Sequence, residues 1–417
     1  MKKKLIIILA AAFLIRIALI IAFKTYAHPV KWEFEEIINN ILAGKGFLYG
    51  NFLGASCRSL TTPLYTYLCA GIYLLTNHSY LAVLLLQALF SLALAAVIFN
   101  IAKALFDEDV ALIAATLVVF HPGYMYYDVF NLIPLSIDSF FIASATYLFL
   151  RFKDRPTALR ALLIGGIIGL GTLSRGMIGS LLPFLLLFLF LFVKSASFKT
   201  KLKLASFMVL AAFIVISPWL IRNYTVQKEF VFIVSTTGEN FWRGNNELAT
   251  GASLTKDGRS ILGLWPAGFQ EKVRSLDELG QKKFFENEAF AFIRRNPARF
   301  IGLYFTKIRY FWWFSDQSGY LYPRLYLVIY KWLYSVMLPL SVAGLLLAVF
   351  SGNNATREGA LLIVFVLMAV CCMQSFFYVE GRHRWLVEPL VLIFFSFSIS
   401  KLYRFLFKKR SEYAAGR

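Results

Sequence analysis

Ten apolar runs, most of them long enough to cross a lipid bilayer, alternate along this chain with short polar connectors. They cover residues 5–23, 80–102, 110–120, 130–150, 161–173, 177–193, 204–221, 325–350, 360–377 and 386–403. A spanning helix needs about 20 apolar residues, so the third and fifth runs are short for a full crossing. Only 16% of the residues are charged and 59% are hydrophobic, whereas soluble domains are about one quarter charged. The sequence therefore predicts an all-α polytopic membrane protein with about ten transmembrane helices.

Basic residues cluster in the connectors that would lie on the same side of the membrane as the N-terminus. These residues are Lys2, Lys3, Lys4, Arg151, Lys153, Arg155, Arg160, Lys194, Lys199, Lys201, Lys203, Lys401, Arg404, Lys408, Lys409 and Arg410. Cytoplasmic loops are enriched in lysine and arginine, so we expect both termini to be cytoplasmic. The same distribution explains much of the net charge of +20, and it argues against a nucleic-acid-binding surface.

This orientation divides the chain into three parts. Residues 1–221 form an N-terminal transmembrane module whose first outer loop covers 24–76, and residues 324–417 form a C-terminal transmembrane module. The segment 61–75 would break the alternation as a span, so we interpret it as a helix lying at the outer interface. Residues 222–323 form a second outer segment of about one hundred residues. That length is sufficient for a small extracytoplasmic domain, with either an α or a mixed α/β fold.

The first outer loop contains an amphipathic helix. Its apolar residues are Phe34, Ile37, Ile38, Ile41 and Leu42, which recur at the spacing of one helical face. Glu33 and Glu36 fall on another stripe of the same helix, and Gly44 can end it. Two interpretations follow from the periodicity alone. Either the glutamates solvate the polar face, or one of them is a general base at the membrane surface.

Six different short motifs are distributed between the first apolar run and the last. They are WEFEEIINNILAGKGF at 32–47, TPLYTYL at 62–68, LSR at 173–175, SPWLIRNY at 217–224, GENFWRGNN at 238–246, and GRHRW at 381–385 followed by EP at 388–389. In this order, the set resembles bacterial polytopic membrane glycosyltransferases of the GT-C class. That class uses polyprenyl-phosphate-linked sugars and includes relatives of protein mannosyltransferases and aminoarabinose transferases. The resemblance covers nearly the whole chain.

The resemblance implies a GT-C-like fold and transfer of a sugar from a polyprenyl-phosphate donor to an acceptor hydroxyl. The acceptor would be a lipid, a glycan or a protein, and the reaction would occur at the periplasmic face of a bacterial cytoplasmic membrane. In this family an acidic residue shortly after the first span is the catalytic base. Many members have Asp there, whereas this chain offers Glu33, Glu35 and Glu36. Glu33, directly after Trp32, gives the best register.

Several arginines on the same expected side could bind the donor phosphate, because the planar guanidinium fork matches two phosphate oxygens. The candidates are Arg58, Arg175, Arg222, Arg382 and Arg384. Arg222 and Arg384 rank highest because they lie in family-like motifs at the outer ends of spans. For each arginine the alternative is a contact with lipid head groups. Possible sugar or acceptor contacts are Asp128, Tyr65, Trp242 and Asn245.

No cofactor is expected, because the four histidines and four cysteines form no metal-ligand spacing. A divalent ion stays an open alternative. Two other functional classes compete with the glycosyltransferase. A transporter or flippase for lipid or sugar would show inverted repeats and midplane charges, and we find no repeat. A non-catalytic envelope-assembly protein would tolerate the loss of Glu33.

Two charges, Arg16 and Asp138, fall inside apolar runs. At about 1.5 Å per residue, both would lie roughly 10–12 Å below the outer surface. Since an unpaired ion at that depth is costly, we expect Arg16 and Asp138 to form an ion pair or to share one polar pocket. The alternative is that Arg16 snorkels to the interface and Asp138 is protonated. The pair Gly165 and Gly169 has the small-x-x-x-small spacing of closely packed helices.

Overall fold

The computed structural model of the chain is built almost entirely of helices. It describes residues 2–315, 317–321 and 323–415. The first half contains α1 (Lys2–Ala22), α2 (Glu33–Leu42), β1 (Tyr49–Phe52), β2 (Ala55–Cys57), α3 (Pro63–Thr76), α4 (Tyr80–Leu105), α5 (Glu108–Val119), α6 (Pro122–Phe130), α7 (Leu135–Asp154), α8 (Ala158–Ser174), a 3-10 helix (Gly176–Ser180), α9 (Leu181–Phe192) and α10 (Phe198–Gln227).

The second half contains α11 (Thr237–Gly244), a 3-10 helix (Leu262–Leu264), α12 (Ala267–Arg274), α13 (Glu278–Arg295), α14 (Pro297–Trp312), α15 (Ser318–Leu321), α16 (Arg324–Val349), α17 (Asn354–Gln374), α18 (Gly381–Trp385) and α19 (Glu388–Ala415). The strands β1 and β2 form a small antiparallel hairpin in the first loop. The predicted all-α class is therefore confirmed.

Seven of the described helices are long and apolar enough to cross a membrane: α1, α4, α7, α10, α16, α17 and α19. The pair α5 and α6 is bent by 41° and adds an eighth crossing if it is a single broken span. Helix α8 and the stretch Gly176–Phe192 are apolar but shorter. A multi-pass membrane protein follows from these lengths, whereas the prediction of about ten spans is not confirmed.

Helix ends that carry charged connectors meet at one end of the bundle. Lys153 at the end of α7 lies 3.3 Å from Glu358 at the start of α17. Arg404 near the end of α19 lies 2.8 Å from Asp107, which caps the start of α5. We call this end the connector side. The opposite end, which carries residues 23–79, 228–315, 317–321 and 375–387, is called the loop side.

Helices α8 and α10 pack closely because glycine removes the side chains between them. A Cβ atom at Gly165 would lie 2.1 Å from the carbonyl oxygen of Met208 on α10. A Cβ atom at Gly169 would lie 2.8 Å from the side chain of Val215. The predicted close-packing role of this glycine pair is confirmed.

The predicted ion pair between Arg16 and Asp138 is wrong, because each residue has another partner. Arg16 is fully buried, and its Nε lies 3.1 Å from Asp128 while Nη2 donates to Ser91 at 2.9 Å. Asp138 accepts from Arg175 Nε at 2.7 Å. The prediction used membrane depth alone and did not consider Asp128 of α6 as a partner, although this residue is buried against Arg16.

The loop side is a helical layer, so of the two folds expected for residues 222–323 the α form is the better description. Helices α11 and α13 pack around a buried cluster of Trp242, Val273, Phe285 and neighbouring aromatic rings. Glu278, at the start of α13, ties this layer to the first loop. Its carboxylate accepts the backbone N–H groups of Arg58 at 2.7 Å and Ser59 at 2.8 Å.

Candidate functional site

A cavity of about 400 Å³ lies where the loop layer meets the helix bundle. Its walls come from six separate segments, which explains why no single sequence window contains it. The lining residues are Val30, Trp32, Tyr126, Tyr127, Asn131, Arg243, Ser253, Leu254, Ser260, Leu321, Tyr378, Glu380 and Arg382. The lining mixes aromatic and apolar side chains with charged and hydroxyl-bearing ones. Such an amphipathic cavity suits a ligand with both kinds of surface.

Arg243 supplies one of the cavity's positive charges. Its Nε donates to Glu239 at 2.9 Å, and its Nη2 bonds to the same carboxylate oxygen. The guanidinium also lies over the ring of Tyr378, 5.2 Å from the centroid. Burial alone would lower the pKa of Arg243, but the adjacent Glu239 carboxylate raises it above its usual value. Arg243 therefore stays charged and is held in a fixed direction.

Arg382 supplies the second positive charge. Its Nε lies 2.9 Å from Glu380, and its guanidinium lies over the Trp32 ring, 5.0 Å from the centroid. Trp32 in turn donates from Nε1 to Asn131 at 3.4 Å. The predicted candidate Arg382 thus lines the cavity, whereas the equally charged Arg243 was not singled out from the sequence.

The three glutamates of α2 have different surroundings, and the predicted amphipathic helix is confirmed. Glu33 follows Trp32 directly and is half-buried, and its carboxylate accepts no hydrogen bond from the residues that the structure describes. Glu35 is buried and accepts from Tyr73 at 2.8 Å, with His78 Nε2 at 3.1 Å. Glu36 is exposed and accepts the N–H of Gly50 at 2.7 Å. None of the three glutamates belongs to the lining of the cavity.

Arg222 and Arg58 lie in a different place from the cavity lining. Arg222 donates from Nη1 to the carbonyl of Arg58 at 2.5 Å and from Nη2 to the carbonyl of Phe47 at 3.3 Å. Its guanidinium lies 4.7 Å from the Trp219 ring centroid. These contacts fasten the end of α10 to the first loop. Arg58 is exposed.

Arg384, two residues beyond Arg382, is fully buried and does not belong to the lining of the cavity. Its Nε donates to Glu388 at 3.1 Å, and the guanidinium lies 3.8 Å from the Tyr334 ring centroid. Burial would lower the pKa of Arg384, but the surrounding tyrosines and Glu388 raise it. This arginine is charged and engaged inside the protein. Arg175 is likewise engaged, through Asp138.

The four predicted sugar or acceptor contacts are buried. Tyr65 donates to Gln87 at 2.6 Å, and Asp128 pairs with Arg16. Trp242 lies in the aromatic cluster of the loop layer. Asn245 accepts from the buried Lys307 at 2.9 Å. None of the four belongs to the lining of the cavity, so the structure does not bring them together with Arg382.

The cavity residues missed from the sequence had a partial signal. Arg243 lies inside the GENFWRGNN motif, next to the selected Trp242, and helical geometry turns these neighbours in different directions. Glu380 directly precedes the GRHRW motif and begins α18. No group of three or more His, Cys, Asp or Glu among the described residues could hold a metal ion.

The family model for dolichyl-phosphate-mannose-protein mannosyltransferases matches residues 61–221. No curated protein matches the sequence. Three solved structures align along nearly the whole chain. Apo oligosaccharyltransferase from Archaeoglobus fulgidus is 15% identical with a TM-score of 0.61, covering 99% of this chain and 52% of its own. Oligosaccharyltransferase AglB from the same organism, in complex with an inhibitory peptide and a dolichol-phosphate, is 14% identical with a TM-score of 0.59, covering 99% and 52%.

ArnT from Cupriavidus metallidurans bound to undecaprenyl phosphate is 14% identical with a TM-score of 0.59, covering 96% of this chain and 60% of its own. The chain has the GT-C fold. This fold and the resemblance predicted from the motifs are confirmed. This GT-C chain spans about half the length of the oligosaccharyltransferases that it matches.

Proposed function

We propose that this protein transfers a sugar from a polyprenyl-phosphate-linked donor to an acceptor hydroxyl on a lipid, a glycan or a protein. The observation that carries the proposal is the cavity with Arg243 and Arg382 at the base of the loop layer. A donor of this kind keeps its polyprenyl chain in the bilayer and its sugar phosphate at the interface. A cavity at the junction of bundle and loop layer meets both requirements.

The two arginines are the proposed phosphate ligands. A guanidinium has five N–H donors, and Arg243 uses only part of this set on Glu239. Charge-assisted hydrogen bonds from both arginines would stabilise the negative charge that develops on the departing polyprenyl phosphate. This assignment retains Arg382 and adds Arg243. Arg175, Arg222, Arg384 and Arg58 then hold the surrounding structure or face solvent.

Glu33 is the proposed base. The acceptor hydroxyl oxygen bonds to the anomeric carbon, Glu33 takes the hydroxyl proton, and the bond from the anomeric carbon to the phosphate oxygen breaks. The electron pair of that bond leaves with the polyprenyl phosphate, which is held by the arginines. Glu33 fits this role because its carboxylate has no hydrogen-bond partner among the described residues and follows Trp32 of the cavity wall.

The proposed location is a bacterial cytoplasmic membrane, with both termini cytoplasmic and the cavity on the periplasmic side. The test uses single cysteines in a background that lacks the four native ones. Lys256→Cys on the loop side should react with an impermeant thiol reagent added to intact cells, and Lys194→Cys on the connector side should not. Both positions are exposed, so the reverse pattern would overturn the orientation.

The activity is tested with the purified protein and radiolabelled undecaprenyl-phosphate-mannose, measuring transfer to lipid and glycan extracts of bacterial membranes. Glu33→Gln should lower turnover by about a hundredfold or more, because it keeps the size of the side chain and removes the base. Glu36→Gln is the matched control on the same helix. Near-normal turnover by Glu33→Gln would contradict the assignment of the base, and equal loss in the control would point to damage of the helix.

A further inference from the structure

Two residues of the cavity lining each carry a buried polar group that has no hydrogen-bond partner among the residues that the structure describes. These groups are the side-chain nitrogen Nδ2 of Asn131, a residue 3% exposed, and the hydroxyl of Ser253, a residue 4% exposed. A buried polar group without a partner costs about 1–3 kcal/mol, and native proteins retain few of them. Their presence on one cavity indicates a polar ligand that supplies the missing bonds.

A third polar group of this cavity, the Glu380 carboxylate, is held rigidly. It accepts from Arg382 Nε at 2.9 Å, and it caps α18 by accepting the backbone N–H of His383. A reciprocal hydrogen bond runs from the backbone N–H of Glu380 to Nδ1 of the His383 ring, at 3.1 Å. Burial, with Arg382 and Arg175 nearby, lowers the pKa of His383 well below its usual value. The neutral ring therefore keeps the lone pair that this contact needs.

Glu380 still has acceptor capacity, because an ionised carboxylate offers about four lone-pair sites. The cavity thus combines a donor at Asn131, a donor or acceptor at Ser253 and an acceptor at Glu380. Tyr126, Tyr127 and Tyr378 line the same space. Sugar hydroxyls both donate and accept hydrogen bonds, and the C–H faces of a sugar pack against aromatic rings. This combination fits a neutral sugar ring.

We infer that Asn131, Ser253 and Glu380 form the sugar subsite and that it selects a neutral sugar over a uronic acid. The inference rests on the proposed function, because it assumes that the phosphate of the same ligand engages Arg243 and Arg382. With both arginines committed to the phosphate, the carboxylate of a uronic acid would face Glu380. Two carboxylates at hydrogen-bond distance repel each other, so such a donor binds weakly.

The test compares three probes in detergent: undecaprenyl phosphate, undecaprenyl-phosphate-mannose and undecaprenyl-phosphate-glucuronate. The wild-type protein should bind the mannose lipid more tightly than undecaprenyl phosphate. It should bind the glucuronate lipid no more tightly than undecaprenyl phosphate. Ser253→Ala should weaken mannose-lipid binding by roughly threefold to tenfold, and Glu380→Gln by at least as much. Ser253→Ala should leave the affinity for undecaprenyl phosphate unchanged. Glu380→Gln also removes the partner of Arg382, so its effect is measured as the ratio of mannose-lipid affinity to undecaprenyl phosphate affinity.

Ser253→Ala breaks no hydrogen bond to the described residues, so its effect reports on the ligand. Ser144→Ala is the matched control, since that hydroxyl is also buried without a partner in the described chain but does not line the cavity. The subsite would be overturned if Ser253→Ala and Glu380→Gln bind the mannose lipid as tightly as wild type does. It would also be overturned if wild type binds the glucuronate lipid as tightly as the mannose lipid. If wild type does not bind undecaprenyl phosphate, the proposed function itself is overturned.

Discussion

Lys307 makes the stability of the loop layer depend on pH. It is fully buried on α14, and its amine donates to the neutral side chain of Asn245 at 2.9 Å rather than to a carboxylate. Burial lowers the pKa of Lys307 from 10.5 to about 7. In the unfolded chain the amine keeps its usual pKa and stays protonated up to about pH 10. Between these two values the unfolded state binds more protons than the folded state.

Stability should therefore rise with pH in this interval, because the proton is lost from the folded state first. Each pH unit contributes up to about 1.4 kcal/mol, so the gain from pH 7 to pH 9 is about 2 kcal/mol. For a chain of this size that free energy corresponds to an increase in Tm of about 2–4 °C. Below pH 7 the full cost of burying the ammonium applies.

The assay is thermal unfolding of the purified protein in detergent at pH 7 and pH 9, for wild type and for Lys307→Met. Methionine keeps the unbranched stem and removes the charge. Other groups also titrate, so the measured quantity is the difference between the two proteins in the slope of the free energy of unfolding against pH. From pH 7 to pH 9 the free energy of unfolding of wild type should rise by about 2 kcal/mol more than that of the variant. Identical slopes would refute the argument that Lys307 is neutralised by burial.

Two further predictions concern the helix bundle. Gly165→Ala should destabilise the protein by about 1–3 kcal/mol, because its methyl group would meet the backbone of α10. Gly166→Ala is the control, because no atom lies within 4 Å of a Cβ added there, and it should be neutral or stabilising. Equal shifts in Tm for the two variants would contradict the close packing. Arg16→Met should cost about 3–5 kcal/mol by leaving Asp128 buried and unpaired. The double variant with Asp128→Leu should recover part of this loss in folded yield, and no recovery would contradict the pairing.

Periodicity and run length were sufficient to predict the helices that carry the fold. The amphipathic helix of the first loop appeared as α2, with Phe34, Ile37 and Ile38 buried. The glycine pair at 165 and 169 was correctly assigned to close packing. These features are local: they depend on residues within a few turns, so one sequence window contains the information.

Contacts between distant segments were predicted less well, because no single sequence window contains their geometry. Depth in the membrane suggested that Arg16 pairs with Asp138, but Asp128 of α6 lies against Arg16 instead. Motif membership selected both Arg382 and Arg384 and ranked Arg384 higher, whereas the side chain on the cavity is that of Arg382. Sequence alone could not separate these neighbours. Their directions are set by the short helix α18 and by its contacts with α14 and α19.

The most direct test of the account is an experimental structure of this protein with undecaprenyl phosphate bound. The account predicts that the phosphate lies between Arg243 and Arg382, within hydrogen-bond distance of both guanidinium groups. The polyprenyl chain should leave the cavity toward the helix bundle. A phosphate bound beside Arg222 and Arg58, with the cavity of Arg243 and Arg382 unoccupied, would contradict the central claim.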